Sequence, residues 1–186
     1  MKHLTIETPR LLLLNNTPEI LNYYAINKSQ NEIKSIYGFS DEGLALFNRM
    51  FHYGTRTFSI SFYSFILVNK ANHLPIGECG FHTLNLKHKR AELFYHLHHD
   101  DDKQKGLMGE ALGTVLQFGF DALNLHRVVG MVAPENTPSV KLLHKFGFIK
   151  EGTARQDYVV NGISEDSDCY SLLKPEWLNA QQKHNA

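Results

Sequence analysis

The chain has 186 residues, of which 42% are hydrophobic and 20% are charged, and its formal net charge is zero. These values predict a single globular domain with a sizeable core and exclude an intrinsically disordered chain. A net charge of zero also argues against a DNA-binding protein that relies on bulk electrostatic attraction.

The two cysteines, Cys79 and Cys169, do not form a CxxC pair. The sequence shows no secretory signal, and its early apolar run at residues 11–14 is too short to cross a membrane. We therefore expect a cytoplasmic protein, without a membrane partner, in which both thiols stay reduced.

The first part of the chain predicts one strand and two helices. Residues 11–14 form the strand, and Thr17 followed by Pro18 marks the start of the first helix. Ser40 begins the second helix. The apolar face of the first helix would contain four side chains: Ile20, Tyr23, Tyr24 and Ile26.

A hairpin and a further strand follow. Aromatic and β-branched residues predict a strand at 58–68, and residues 74–84 form its hairpin partner. Gly77 and Gly80 mark a bulge in that partner. Residues 91–98 form the next strand.

The second half contains the clearest helix, at residues 106–123, because apolar residues recur there every four positions. Its last hairpin turns near Asn161 and Gly162, a pair typical of tight turns. This alternation predicts an α/β domain with a mixed sheet at residues 1–178, followed by a polar C-terminal tail at 179–186. The other predicted elements are a strand at 127–133, a helix at 136–145 and strands at 148–157 and 166–173.

The stretch 90–112 is the most informative part of the sequence. An apolar strand that carries one acid, Glu92, leads through a polar loop with Gly106 and Gly109 into the long helix. The N-terminus of such a helix presents free backbone N–H groups and the positive end of its dipole, and glycine lets a ligand approach the backbone. The pattern predicts a phosphate-bearing ligand beside a carboxylate that can move a proton.

Other motifs accompany this stretch along nearly the whole chain. They are ETPRL at residues 7–11, LNLHRV at 123–128, PENTPS at 134–139, KFGF at 145–148, and DSDCY at 166–170 leading to Leu173, Pro175 and Trp177. Together they resemble the GNAT superfamily of N-acetyltransferases, and most of all its RimJ/RimL branch. Members of that branch acetylate N-terminal amines of ribosomal proteins and other amines.

The resemblance implies a GNAT fold, with a mixed, mostly antiparallel central sheet flanked by helices. It implies that two central strands, near Glu92 and near Val129, splay apart to admit the pantetheine arm of acetyl-CoA, the co-substrate. The family's acyl-CoA loop is usually Gln/Arg-x-x-Gly-x-Gly/Ala, and here Lys103 and Met108 depart from it. The implied cofactor-binding residues are His96, Leu97, His98, Lys103, Gln104, Lys105, Gly106, Leu107, Met108, Gly109 and Asn136.

Acetyl transfer needs a neutral amine, and an α-amino group, with a pKa near ~8, loses its proton more readily than a lysine side chain, near ~10.4. Glu92 lies where related enzymes carry a glutamate base, so we assign to it proton removal, through water, or orientation of the ammonium group. A backbone N–H of the same strand would stabilise the developing oxyanion. Many family members protonate the thiolate with a tyrosine, but Leu143 occupies that position. Ser139 is our substitute donor.

We therefore predict acetyl transfer to a primary amine, most of all a protein or peptide N-terminus. Two alternatives remain: a polyamine-type acetyltransferase of small amines, and a CoA-binding module without catalysis. An ATP site is disfavoured because the loop lacks a Gly-Lys-Ser/Thr ending, and we expect no metal at His96, His98 and His99. The sequence leaves the acceptor and the oligomeric state open.

Overall fold

One eight-stranded sheet organises the residues that this computed structural model describes, namely 4–55, 57 and 61–184. Within these residues there are also six α-helices and one short 3₁₀ helix, at Asp100–Asp102. The strands are β1 (Thr5–Glu7), β2 (Leu11–Asn16), β3 (Ser61–Asn69), β4 (Pro75–Asn85), β5 (Arg90–Leu97), β6 (Arg127–Val132), β7 (Ile149–Val160) and β8 (Ile163–Leu173). The helices are α1 (Pro18–Asn27), α2 (Gln30–Tyr37), α3 (Asp41–Tyr53), α4 (Leu107–Asp121), α5 (Thr137–Lys145) and α6 (Lys174–His184).

The sheet is mixed, and this confirms the predicted fold class. Its strand order is β1-β2-β3-β4-β5-β6-β8-β7, and the central pair β5–β6 is parallel whereas the other described pairs are antiparallel. The β5–β6 pairing runs from Arg90 opposite Arg127 to Glu92 opposite Val129 and stops there, although both strands continue. The two strands therefore part beyond Glu92, as predicted.

The two faces of the sheet carry separate cores. One face packs against α4, with Phe65, Phe81 and Leu112 buried between them. The opposite face packs against α1, α2 and α3, where Tyr37 and Phe47 are buried. Because successive side chains of a strand alternate between the faces, β4 and β5 supply residues to both sides.

Sequence reasoning missed the helix α2, so the helix that was predicted as the second, starting at Ser40, corresponds to α3. The start of α2 has a capping box: the Ser29 side chain accepts from the Glu32 backbone N–H, and the Glu32 carboxylate accepts from the Ser29 backbone N–H. The predicted face of α1 was also partly wrong, because Ile26 and Tyr23 are exposed. Leu21 is buried instead, beside Ile20.

Turn and cap chemistry was predicted better. Thr17 caps α1 and Asn136 caps α5 through their side-chain oxygens, and Asn161 and Gly162 turn the β7–β8 hairpin with positive φ angles. The β4 bulge lies at Gly77 but not at Gly80, which pairs in register with β3.

Two further predicted boundaries concern the start of β3 and the C-terminal tail. Residues 58–60 of the predicted strand lie outside the described residues, and β3 begins at Ser61. The predicted polar tail from residue 179 is helical as far as His184, because α6 continues through it. The division into a domain and a tail stays a prediction.

Candidate functional site

A cavity of about 500 Å³, here called the loop cavity, lies at the diverging ends of β5 and β6, beside the loop that precedes α4. Nine of the eleven predicted cofactor contacts line it, together with Ser139. They are His96, Leu97, Lys103, Gln104, Gly106, Leu107, Met108, Gly109 and Asn136. The fold thus brings together residues that are 40 positions apart in the sequence.

The loop presents the N-terminus of α4 to this cavity. Gly106 is the N-cap residue, in the left-handed region with φ of 75°, and no described side chain caps the helix there. The first-turn N–H groups of Leu107, Met108 and Gly109 have no partner within their own helix, and the helix dipole adds positive potential. This arrangement suits a phosphate group.

Two lysines add positive charge near these amides. The Lys103 ammonium pairs with Asp100 at 2.6 Å and is largely exposed. Lys145, which sequence reasoning missed, comes from α5, and its ammonium lies 3.4 Å from the position that a Cβ on Gly109 would occupy. Lys145 is far from the loop in the sequence, so the loop motif does not predict it. The packing of α5 beside α4 brings it there.

The segment just before β2 fixes the position of the loop through hydrogen bonds. Glu110 of α4 accepts hydrogen bonds from the Thr8 hydroxyl at 2.5 Å and the Arg10 backbone N–H at 2.7 Å, and pairs with Arg10 Nε at 2.6 Å. The Arg10 guanidinium also donates to the Lys105 carbonyl at 2.8 Å. Burial raises the pKa of Glu110, but these bonds outweigh that effect, and the pKa is lowered.

Two predicted contacts lie outside the loop cavity. Lys105 does not line it, and its carbonyl accepts from Arg10. His98 does not line it either: its backbone N–H donates to the Ile76 carbonyl, and its Nε2 lies 2.8 Å from the Tyr37 carbonyl. The His98 ring therefore contacts the end of α2, on the opposite face of the sheet, and its role in cofactor binding stays a prediction.

A second, smaller cavity of about 250 Å³, here called the central cavity, contains Glu92. It shares Tyr95, Asn136 and Ser139 with the loop cavity. The Glu92 carboxylate is about one quarter exposed and lies 3.4 Å from His82 Nε2. The predicted base and the predicted cofactor contacts therefore line two adjacent cavities with three residues in common.

Tyr95 is a candidate that sequence reasoning missed. It lies on β5 where this strand has left β6, and the nearby Ser139 side chain acts to lower its pKa. Burial raises the pKa of Tyr95, so the phenol stays protonated at neutral pH. Tyr158, from the β7–β8 hairpin, also borders the central cavity, and burial and the Glu92 charge raise its pKa.

A third cavity, about 720 Å³ and larger than the other two, lies between α2, α3 and the opposite face of β3, β4 and β5. We call it the aromatic cavity because its walls include Tyr37, Phe39, Phe47, Phe62 and Phe94. Its polar lining residues include Glu78, His82, His96 and His98. It shares His82 and Phe94 with the central cavity and His96 with the loop cavity.

Burial shifts the pKa of two titratable side chains that line this cavity. Burial raises the pKa of Glu78 to about 7, and burial together with the neighbouring His98 lowers the pKa of His96. The His96 and His98 rings have centroids 5.3 Å apart. Within the described part of the chain, no three His, Cys, Asp or Glu side chains converge as metal ligands would.

None of the helices described in the structure has both the length and the apolar character needed to cross a bilayer.

Known proteins that are similar to this chain are named as N-acetyltransferases. Over 113 residues the chain is 39% identical to the uncharacterized N-acetyltransferase p20 of Bacillus licheniformis, a match that covers 61% of this chain and 63% of that protein. It is 26% identical to the spermidine N(1)-acetyltransferase of Vibrio cholerae, over 91% of this chain and 88% of that one. It is 34% identical to the Escherichia coli ribosomal protein uS5-alanine N-acetyltransferase, over 39% of this chain and 38% of that one.

Solved structures match the fold over almost the whole chain. Mutant forms of the V. cholerae spermidine/spermine N-acetyltransferase superpose with a TM-score of 0.67 at 22% identity, covering 94% of this chain and 99% of that one. A ribosomal-protein-S5-alanine acetyltransferase from Vibrio fischeri gives a TM-score of 0.66 at 23% identity, covering 94% and 98%. The model of the acetyltransferase (GNAT) domain matches residues 3–149, so the chain belongs to the GNAT acetyltransferase family.

Proposed function

We propose that the protein transfers the acetyl group of acetyl-CoA to a primary amine, with a protein or peptide N-terminus as the preferred acceptor. The observation that carries the proposal is that the three cavities share lining residues of β5 at the point where this strand leaves β6. A cofactor in the loop cavity and an amine in the aromatic cavity would meet beside Glu92 and His96.

The loop cavity fits the cofactor by its donor set. The first-turn amides of α4 and the Lys103 and Lys145 ammonium groups would hold its phosphates, while Arg10 and Glu110 keep the loop in place. When bound, acetyl-CoA supplies the activated acyl group as a thioester. Met108 lines the cavity without closing it.

Proton transfer is assigned to residues of the central cavity. The Glu92 carboxylate would take the proton of the ammonium group, through water, or orient that group for attack. Ser139 and Tyr95 would donate a hydrogen bond to the departing sulfur, because both residues line the loop and central cavities. A backbone N–H of β5 beyond Glu92 would support charge on the carbonyl oxygen.

The acceptor class is the finer part of this proposal. The relatives include one protein named for ribosomal protein uS5-alanine and one named for spermidine, so both N-terminal amines and polyamines have precedents. We prefer an N-terminal amine because its lower pKa leaves more of it neutral at pH 7. A small-amine enzyme is the alternative acceptor class, and a CoA-binding module without catalysis is the alternative function.

The test is mass spectrometry of a panel of peptides and small amines after incubation with acetyl-CoA. We expect acetylated products with the wild type, and a loss of turnover in Glu92→Gln with CoA binding retained. The control is Glu7→Gln, because Glu7 is exposed on β1 and pairs with Lys70. If the wild type binds CoA but acetylates no amine, the binding-module alternative replaces the proposal. Thermal stabilisation by ATP in place of CoA would reject both.

A further inference from the structure

One group in the aromatic cavity is not used by the chemistry proposed above. Glu78 lies in the middle of β4, opposite Ile66 of β3 on one side and His96 of β5 on the other. Its Oε1 atom is enclosed and has no hydrogen-bond partner among the residues that the structure describes. The side chain belongs to the lining of the aromatic cavity.

An enclosed carboxyl oxygen without a partner is unfavourable, and folded proteins rarely keep one. The chain around Glu78 is otherwise apolar or small, with Ile76 and Cys79 buried beside it. Neither these β4 neighbours nor His96, directly opposite on β5, gives Oε1 a hydrogen bond. A cation in the cavity would stabilise the carboxyl group, because the Glu78 side chain lines the cavity.

The charges around Glu78 favour a cationic ligand. Tyr37, from α2, has a strongly raised pKa through burial and so stays neutral. His96 is also neutral at pH 7 because its pKa is lowered. His98 is bound to a backbone carbonyl through Nε2, and His82 lies beside Glu92. A positive group would therefore interact first with the Glu78 carboxyl, and its own charge would lower the pKa of that carboxyl from about 7.

The walls limit what such a ligand can be. Among the described residues that line the aromatic cavity, Glu78 is the one carboxylate. A polyamine carries several ammonium groups and needs several acids, whereas the aromatic walls here suit an apolar body. One acid in an apolar cavity matches one positive charge on an apolar ligand.

The position of Glu78 places this ligand close to the proposed reaction. Glu78 and His96 are directly opposite in the β4–β5 ladder, so their Cβ atoms are about 5 Å apart. His96 borders both the aromatic and the loop cavity. An ammonium group beside Glu78 would therefore lie at the boundary where the acetyl group would arrive.

We propose that Glu78 binds the ammonium group of the acceptor and that this acceptor carries a single positive charge on an apolar body. This inference rests on the proposed acetyl transfer and narrows its substrate class. Two kinds of molecule combine one positive charge with an apolar body: a peptide whose first side chain is large and apolar, and a small arylalkylamine.

The test compares a cation with its neutral isostere. Calorimetric titration in the presence of CoA measures binding of 2-phenylethylamine and of 2-phenylethanol to the wild type and to Glu78→Gln. We expect the wild type to bind the amine at least tenfold more tightly than the alcohol, and Glu78→Gln to lose this preference while it binds the alcohol as well as the wild type does. Equal preference in the two proteins would overturn the proposal.

Further measurements distinguish the two kinds of acceptor, and they distinguish failure of the Glu78 site from failure of the proposed acetyl transfer. Peptides that begin with Phe or with Gly, and spermidine, are compared by kcat/KM, and a tenfold advantage for spermidine over both apolar acceptors would also overturn the proposal. A wild type that binds the amine through Glu78 but does not acetylate it would end the proposed function and leave the Glu78 site intact. Glu7→Gln is the control, and an unchanged CoA affinity shows that Glu78→Gln is folded.

Discussion

The loop cavity and the aromatic cavity differ in how the chain builds them. Half of the residues that line the loop cavity come from one short segment, residues 102–104 and 106–109, and β5 and the start of α5 supply most of the rest. The aromatic cavity uses side chains from α2, α3, β3, β4 and β5, none of which forms a local pattern. A site made of consecutive backbone leaves a motif in the sequence, whereas a site made of converging side chains does not.

The two cavities are also held differently. The loop is fastened by charged hydrogen bonds from Arg10 to Glu110 and to the Lys105 carbonyl. The aromatic cavity is held by ring packing, including Tyr37 stacked on Phe39 with centroids 4.7 Å apart. We expect the loss of a charged hydrogen bond to disturb the loop cavity, and the loss of apolar packing to disturb the aromatic cavity.

The substitution Gly77→Ala should have the largest effect, because it acts on the strand pair that both cavities share. A Cβ at Gly77 would stand far inside van der Waals distance of the His96 carbonyl oxygen. We expect a loss of about 3 kcal/mol in the free energy of unfolding, measured in urea. The control is Gly152→Ala, since a Cβ there meets no described atom within 4 Å. A loss below about 1 kcal/mol would show that β4 and β5 can separate at low cost.

The substitution Tyr95→Phe should separate chemistry from binding. Removing the hydroxyl beside Ser139 takes away one proposed donor to the sulfur, so kcat should fall about tenfold to a hundredfold while the KM values for acetyl-CoA and amine stay similar. Tyr63→Phe is the control, because the Tyr63 hydroxyl lies 3.5 Å from the Asn15 amide, away from the described linings of the three cavities. An unchanged kcat would assign the donor role to Ser139 alone.

The substitution Gly106→Val should weaken acetyl-CoA binding in the loop cavity and leave the aromatic cavity unchanged. Valine is strained at φ of 75°, by about 1–2 kcal/mol, so the loop should shift and the KM for acetyl-CoA should rise about tenfold. Gly162→Val puts the same strain at φ of 81° in the β7–β8 turn, where a Cβ meets no described atom within 4 Å. A similar KM change in both variants would mean that strain acts through global stability. Binding of 2-phenylethylamine should be unaffected in either variant.

The substitution Glu110→Gln should have the smallest effect, and one that depends on pH. The pKa of Glu110 is lowered in the folded protein, so its stabilisation is complete above its ordinary pKa of 4.5 and is lost as the pH falls through the lower folded value. We expect a loss of about 1 kcal/mol in unfolding free energy at pH 7, and a vanishing difference from the wild type at strongly acidic pH. Thermal unfolding at several pH values measures this. A constant difference across pH would mean that shape, and not charge, matters at this position.

Much of the fold followed from local patterns. The α4 helix was predicted because apolar residues repeat every four positions, and Asn161 with Gly162 was predicted because few other pairs adopt positive φ angles in succession. The α2 helix was missed although Ser29 and Glu32 form a capping box, because eight residues hold too little apolar periodicity. Ile26 was misplaced because the apolar spacing on the short helix α1 fits more than one face.

Residue types and their spacing were enough to predict the mixed sheet and the loop that precedes α4, because both depend on chemistry between close neighbours in the chain, whereas the family was predicted from the resemblance of its motifs. The folded arrangement was needed to learn which distant residues come together: Tyr95 with Ser139, Lys145 with the start of α4, and the enclosed Glu78 beside His96. Contacts of that kind depend on strand register and on the packing of distant helices. Local patterns in the chain do not encode them separately.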